Sequence, residues 1–309
     1  MVAVGRIFST TSAVSASGRA ISETLQQGVA IEQQLREDIS KIAREGFLAI
    51  RSVSLANNIN GDYSLINTGR HYIRAKEAAK NSNIRYIIGF NGTTLWDNKE
   101  KKEIFNKYLS KSAVENMIRY SEKNKHLIGF WLKEKVVLMD FSSDGHQYKD
   151  YYRDEKKWTE LMPIVIKKHT DKENVEDIIE SFQENVYKIQ LIFERKEWQK
   201  NRFVIEKELN QLHNKDATVF MGSLPDIEVC VSDTSKSIGL ERFIREMKIQ
   251  NPETYAFGDG YNDIEILEYV DNAYVMSSAT SREVIKLADE ILEYDTGSIG
   301  RKIESIYNN

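Results

Sequence analysis

At 309 residues, 41% hydrophobic and 29% charged, the chain has the composition of an ordinary globular protein and is long enough for two cored domains. A net charge of −4 argues against a partner recognised by broad neutralisation of nucleic-acid phosphates. No apolar run approaches the roughly twenty residues that span a bilayer, Met1 to Phe8 is too short for a secretory core, and the single cysteine, Cys230, fits a reducing compartment. The expectation is a cytoplasmic protein with no nucleic-acid or membrane partner.

Residues 1–20 are rich in Ser, Thr and Ala, and Ser9 to Ser17 carries no charge, which reads as a weak strand or a loose arm. From Ile21 to about Ile50, apolar residues at Ile21, Leu25, Val29, Leu35, Ile39, Ile42, Ala43 and Phe47 approximate one helical face, with Ser22 as its cap. Such a helix either packs on a sheet or serves oligomerisation. After a polar loop, Tyr63 to Ile66 reads as a short strand ending in Asn67-Thr-Gly-Arg70, followed by a helix from Tyr72 to Lys80. A strand from Tyr86 to Phe90 then runs into Asn91-Gly-Thr-Thr94. Strand, helix, strand in that order is a parallel crossover unit.

Residues 100–220 change character, becoming rich in Lys, Glu and aromatics. Apolar segments at 127–132, 136–139, 187–193 and 217–220 alternate with polar helices at 173–184 and 200–213, which predicts a compact α/β or α+β insert. Crossover units then return: strand 227–231, helix 236–247, strand 254–257, helix 264–269, strand 273–276 and helix 281–288. The predicted architecture is α/β, a doubly wound parallel-sheet core from 1–95 and 222–309 with an inserted domain at 96–221. Cys230, inside an apolar run, reads as a small buried strand residue. The five histidines are scattered without metal-ligand spacing, and no Gly-x-Gly-x-x-Gly or P-loop is present.

The most informative stretch is Thr254-Tyr-Ala-Phe-Gly-Asp-Gly-Tyr-Asn-Asp-Ile-Glu-Ile-Leu267. Gly258 and Gly260 allow a sharp turn where a strand of an open α/β sheet ends, which is where such folds bind ligands. Asp259 and Asp263 supply hard oxygen ligands suited to magnesium. With Thr68-Gly-Arg70, Asn91-Gly92 and Lys236 in order before it, this loop resembles the haloacid dehalogenase superfamily, and within it the Cof-type sugar-phosphate phosphatases. The likeness covers residues 63–309, with an insert where that branch carries its α/β cap. The resemblance implies that Thr68 hydrogen-bonds a phosphoryl group, that Lys236 offsets its charge, and that Asp259 and Asp263 hold magnesium. It also implies that Asn262 steadies the loop or the phosphate, and that Arg70, Asn91 and Gly92 lie on the substrate side. Phosphoryl transfer depends on such positioning and charge neutralisation. Each residue also has a plainer reading: Thr68 as a turn residue, Lys236 as a surface lysine, Asp263 as a helix cap.

The departures bear on activity. The family's first strand ends in Asp-x-Asp-Gly-Thr, whose first Asp attacks phosphorus and whose second acts as acid and base, yet no Asp-x-Asp occurs in this chain. The best alignment places Ser9 and Thr11 at those two positions, and neither does that work without a dedicated base. Asp140 and Asp144 stand four apart within the insert and read as part of a hairpin. Ser277-Ser278 replaces the Gly-Asn that usually follows Met276. Three functions compete for these residues: a magnesium-dependent phosphatase of small phosphorylated metabolites, a pseudoenzyme that binds such a ligand without turnover, and a structural or interaction protein. The last would assemble with a protein partner or a second copy through residues 1–60.

Overall fold

The computed structural model describes residues 47–52, 63–78, 84–141, 164–168, 174–193, 195–213, 215–221, 226–279, 281–294 and 297–308. Ser9, Thr11, the Ser/Thr-rich arm and the expected helix up to residue 46 lie outside them. In chain order the elements are β1 (Phe47–Ser52), β2 (Tyr63–Asn67), α1 (Tyr72–Ala78), β3 (Tyr86–Gly89), a 3-10 turn (Phe90–Gly92), β4 (Thr94–Asp97) and β5 (Lys102–Asn106). There follow α2 (Lys111–Asn124), β6 (Leu127–Trp131), β7 (Val136–Asp140), β8 (Ile164–Lys168), α3 (Val175–Ser181), β9 (Lys188–Ile192), α4 (Arg195–His213), β10 (Ala217–Met221) and β11 (Asp226–Val231). The chain closes with α5 (Lys236–Glu246), β12 (Pro252–Gly258), a second 3-10 turn (Tyr261–Asp263), α6 (Ile264–Tyr269), β13 (Asn272–Met276), α7 (Arg282–Ile285), β14 (Glu290–Leu292) and α8 (Ser298–Asn308). Two compact units result, one ending at Ile104 and resuming at Lys236, the other Phe105–Ser235.

The first unit is built on an eight-stranded sheet in the order β14-β13-β12-β1-β2-β3-β4-β5. Parallel pairing joins β12 to β13, β13 to β14, and β2 to β3, as crossover connections require. Alternation along each strand divides the side chains between two faces. Ile66, Ile87, Tyr255, Phe257, Tyr274 and Met276 pack with Tyr72 and Ala75 of α1 and with Ile299, Ile303 and Ile306 of α8. On the opposite face Tyr86 meets Phe243 of α5 edge-on, with ring centroids 5.0 Å apart. Lys236, Gly239, Leu240 and Phe243 are the buried residues of α5, at the 3-4-7 spacing of a single helical stripe. Helices therefore cover both faces, and the sheet is doubly wound.

Two expectations are corrected here. Residues 47–50 end no helix: they belong to β1, which pairs antiparallel with both β12 and β2. A short apolar run such as Phe-Leu-Ala-Ile fits either period, and pairing with strands on both sides decides for the strand. The strand beginning at Asp226 is not in the core sheet either. It forms a hairpin with β10 and pairs antiparallel with β9 in a second sheet, because the short link after Met221 permits only an antiparallel return.

That second sheet has the order β10-β11-β9-β6-β7-β8. Ile128, Phe130, Val137, Met139, Ile189, Leu191, Ile227 and Val229 form its apolar core with Met117 and Ile118 of α2, Ile179 of α3, and Ile205 and Leu209 of α4. Ser110 caps α2 by accepting from the Ala113 N–H at 3.1 Å, and Lys125 ends it in the left-handed conformation. The β6–β7 hairpin contains Asp140, while Asp144 lies outside the described residues. Cys230 is buried in β11. Among the described residues no helix is long and apolar enough to cross a membrane.

Candidate functional site

β2 and β12 both run opposite to β1, so their carboxyl ends, Asn67 and Gly258, lie at one edge of the first sheet with those of β3 and β13. Four of the motifs identified in the sequence emerge at this edge, and a continuous set of contacts joins them.

The Gly258–Asp263 loop is organised by Asp263. One of its carboxylate oxygens, Oδ2, accepts from the backbone N–H of Asp259 at 3.1 Å and of Gly260 at 2.9 Å. The other, Oδ1, meets the Lys236 ammonium at 2.5 Å. Lys236 and Asp263 side chains are 5% and 4% exposed, so this is a buried ion pair and Lys236 is no surface lysine. Asp263 does not cap α6 with its side chain; it reaches back into the loop that precedes it. Gly258 is required by that fold-back, since a Cβ there would stand 2.7 Å from Asp263 Cγ. Asn262 is exposed, with its Oδ1 over Gly260.

Asp259, the other carboxylate of this loop, makes no such direct pair with the lysine, and Lys236 and the backbone compensate it only in part. Burial, and then the charge of Asp263, push its carboxyl above the ordinary range, against the pull of Lys236 and a hydrogen bond with the Ser278 side chain. Ser278 sits just past the carboxyl end of β13. The sequence showed it only as a departure from a pattern; the fold brings it to Asp259.

The Thr68 segment forms the other side of the site. The Arg70 N–H donates to Thr68 Oγ1 at 3.1 Å, closing a tight turn. The Thr68 N–H donates to the Ile88 carbonyl, and its own carbonyl accepts from the Asn91 N–H at 3.0 Å. Asn91 is left-handed, with φ 54°, and buried, and its amide oxygen would lie 2.8 Å from any Cβ at Gly69. Gly239 lets this turn approach α5: a Cβ there would stand 2.7 Å from Gly92 Cα. Asn67, which the sequence reading passed over, donates from Nδ2 to the Lys236 carbonyl at 2.7 Å and ties the two sides together. No sequence signal distinguishes it, because its partner is 169 residues away.

Magnesium, the cofactor expected from the resemblance, fits this donor set in one way. Both oxygens of Asp263 are engaged within the protein, and among the described residues no three His, Cys, Asp or Glu side chains cluster as ligands. Asp259, with its ionisation opposed by burial, suits a cation that keeps most of its waters and binds one carboxylate together with a phosphate.

Residues 31–299 match the pattern of the haloacid dehalogenase-like hydrolase family. The chain belongs to that family. The match begins after Ser9 and Thr11 and runs past the Gly258–Asp263 loop. Among curated proteins, this haloacid dehalogenase-like chain is 24% identical over 258 residues to "Putative phosphatase BU028/BU029" of Buchnera aphidicola subsp. Acyrthosiphon pisum, covering 79% of this chain and 84% of that one. Its fold is shared with the HAD subclass IIB sugar phosphatase BT4131, at a TM-score of 0.60 and 18% identity, over 79% of this chain and 85% of that one. SMU.1108c from Streptococcus mutans superposes similarly, at a TM-score of 0.62 and 14% identity, over 79% and 85% of the two chains.

Proposed function

We propose that this haloacid dehalogenase-like protein binds the phosphoryl group of a small metabolite at the edge carrying Thr68, Lys236, Asp259 and Asp263, and that its hydrolytic turnover is impaired. The observation that carries the second part is the direction of β1. In the family the attacking aspartate stands at the carboxyl end of the first strand, as the resemblance implies. Here the strand between β2 and β12 runs the other way, so its amino end, Phe47, is what pairs beside Ile66 and Phe257 at the site edge. The lack of any Asp-x-Asp pair in the chain supports the same reading.

The remaining groups suit binding. Thr68 is a hydroxyl for a phosphoryl oxygen, and Lys236 is a buried cation whose charge Asp263 balances. A phosphate dianion would compete with Asp263 for that ammonium, as charge-assisted hydrogen bonds favour. Asp259 would hold magnesium, which supplies positive charge against the phosphoryl oxygens. Asn262 and Arg70 would meet the rest of the ligand, with Asn91 and Gly92 shaping the turn behind it. An insert between the two halves of the core, here Phe105–Ser235, is where a cap for selecting metabolites would be carried. The assembly reading rests on residues 1–60, most of which lie outside the described residues.

Hydrolysis of a generic aryl phosphate in magnesium tests the proposal. Turnover should fall on the order of 10⁶ below that of a family member with its nucleophile, while inorganic phosphate binds to the parent and weakens in Lys236→Ala. Robust magnesium-dependent turnover that disappears in Asp259→Asn would show that a working nucleophile is present.

A further inference from the structure

Asn67 closes β2 one residue before Thr68 and is 1% exposed. Its Nδ2 donates to the Lys236 carbonyl at 2.7 Å. The Lys236 ammonium pairs with Asp263, whose second oxygen holds the N–H groups of Asp259 and Gly260. One carboxamide therefore fastens the Thr68 segment to the Asp259 loop through a single intermediary, Lys236. The other end of that carboxamide, Oδ1, is buried and has no hydrogen-bond partner among the described residues. A buried acceptor without a partner is unfavourable, and an apolar side chain at the end of a buried strand would avoid the penalty. The Lys236 carbonyl, at the first turn of α5, gains a donor it does not need for helix formation. Neither end of the side chain is thus explained by the folding of β2 or of α5 taken separately.

We infer that Asn67 is a positioning residue for phosphoryl binding, holding the first turn of α5 against the end of β2 so that Lys236 and Thr68 address one ligand. This rests on the binding site proposed above and extends it to a residue that touches no ligand. The spacing between a cation and a hydroxyl that share an anion must be held closely for both to act, and groups behind the contacting side chains set that spacing.

Calorimetric titration of the full chain with inorganic phosphate in magnesium, alongside thermal melts, tests the inference. Asn67→Ala loses the donor and should weaken phosphate about fivefold, the worth of one hydrogen bond; the isosteric Asn67→Asp also sets an acceptor against the Lys236 carbonyl and should weaken it further. Asn67→Gln keeps a donor and should recover part of the affinity, and Lys236→Ala should bind far more weakly than any of them. A purely structural Asn67 would lower the melting temperature and leave the phosphate Kd unchanged, measured where every variant is folded. That result overturns the inference, as does failure of both Asn67→Ala and Asn67→Asp to fold. If the parent binds no phosphate, or Lys236→Ala binds it equally, the proposed site itself fails and the inference falls with it. If Lys236→Ala loses binding while Asn67→Ala and Asn67→Asp retain it, only the role of Asn67 is refuted.

Discussion

Replacing Lys236 with methionine removes the cation but keeps most of the side-chain volume, so its effect isolates the ion pair with Asp263. Both partners are at most 5% exposed and their charged atoms are 2.5 Å apart. Breaking such a pair from one side costs about 3–5 kcal/mol, because the remaining charge is stranded away from water. Asp263 keeps two backbone donors on Oδ2, which places Lys236→Met near the lower end, about 3 kcal/mol. For a unit of this size, about 2–4 °C per kcal/mol gives a fall in Tm of about 6–12 °C. Urea unfolding and calorimetry at pH 7 read both quantities. Adding Asp263→Asn to Lys236→Met should restore part of the loss, giving a coupling of about 2 kcal/mol in a double-mutant cycle. If Lys236→Met stays within about 0.5 kcal/mol of the parent, as a surface substitution would, the buried pair does not exist in solution.

Three other outcomes are expected. The Asp259 carboxyl is held above its ordinary range by burial and by Asp263, so as pH rises past about 3.9 the unfolded chain ionises first and stability falls until the native carboxyl follows. Asp259→Asn should therefore melt higher than the parent at pH 7, with the gap closing near pH 3, and a lower Tm at pH 7 would refute the assignment. His213 is 1% exposed with no partner on either ring nitrogen among the described residues, and burial depresses its pKa against the opposing charge of Asp216. Its neutral form is favoured by the fold, so stability is retained above about pH 6.5 and lost as pH falls through the depressed value; urea midpoints at pH 7.5 and 5.5 should differ less in His213→Leu than in the parent. Gly239→Ala drives a methyl against Gly92 Cα and Ile88 Cγ2 at 2.7 and 2.8 Å, which should destabilise by about 1–3 kcal/mol, measured by the same unfolding curves.

The sequence by itself determined the alternation of strands and helices at 63–97 and 252–292, because apolar periodicity and turn residues are local properties. It also determined the chemistry of the Gly258–Asp263 loop, since two glycines and two acids around a strand end restrict what the backbone can do. What it left open was anything set by pairing partners distant in the chain. Phe47–Ser52 carries a pattern that suits a helix or a strand, and only its position between β2 and β12 selects the strand and its direction. Asp226–Val231 has the composition of a core strand, and its hairpin with β10 assigns it to the second sheet. Asn67 and Ser278 carry no motif, and they enter the site because folding brings Asn67 to the Lys236 carbonyl and Ser278 to Asp259. The roles of Asp259 and Asp263 likewise separate only in three dimensions: equal as ligands on paper, they differ because Asp263 contacts the Lys236 ammonium and two backbone donors directly, whereas burial and the charge of Asp263 hold the Asp259 carboxyl above its ordinary range. A hydrogen bond or ion pair depends on distances of a few tenths of an ångström, and the sheet, not the local sequence, sets those distances.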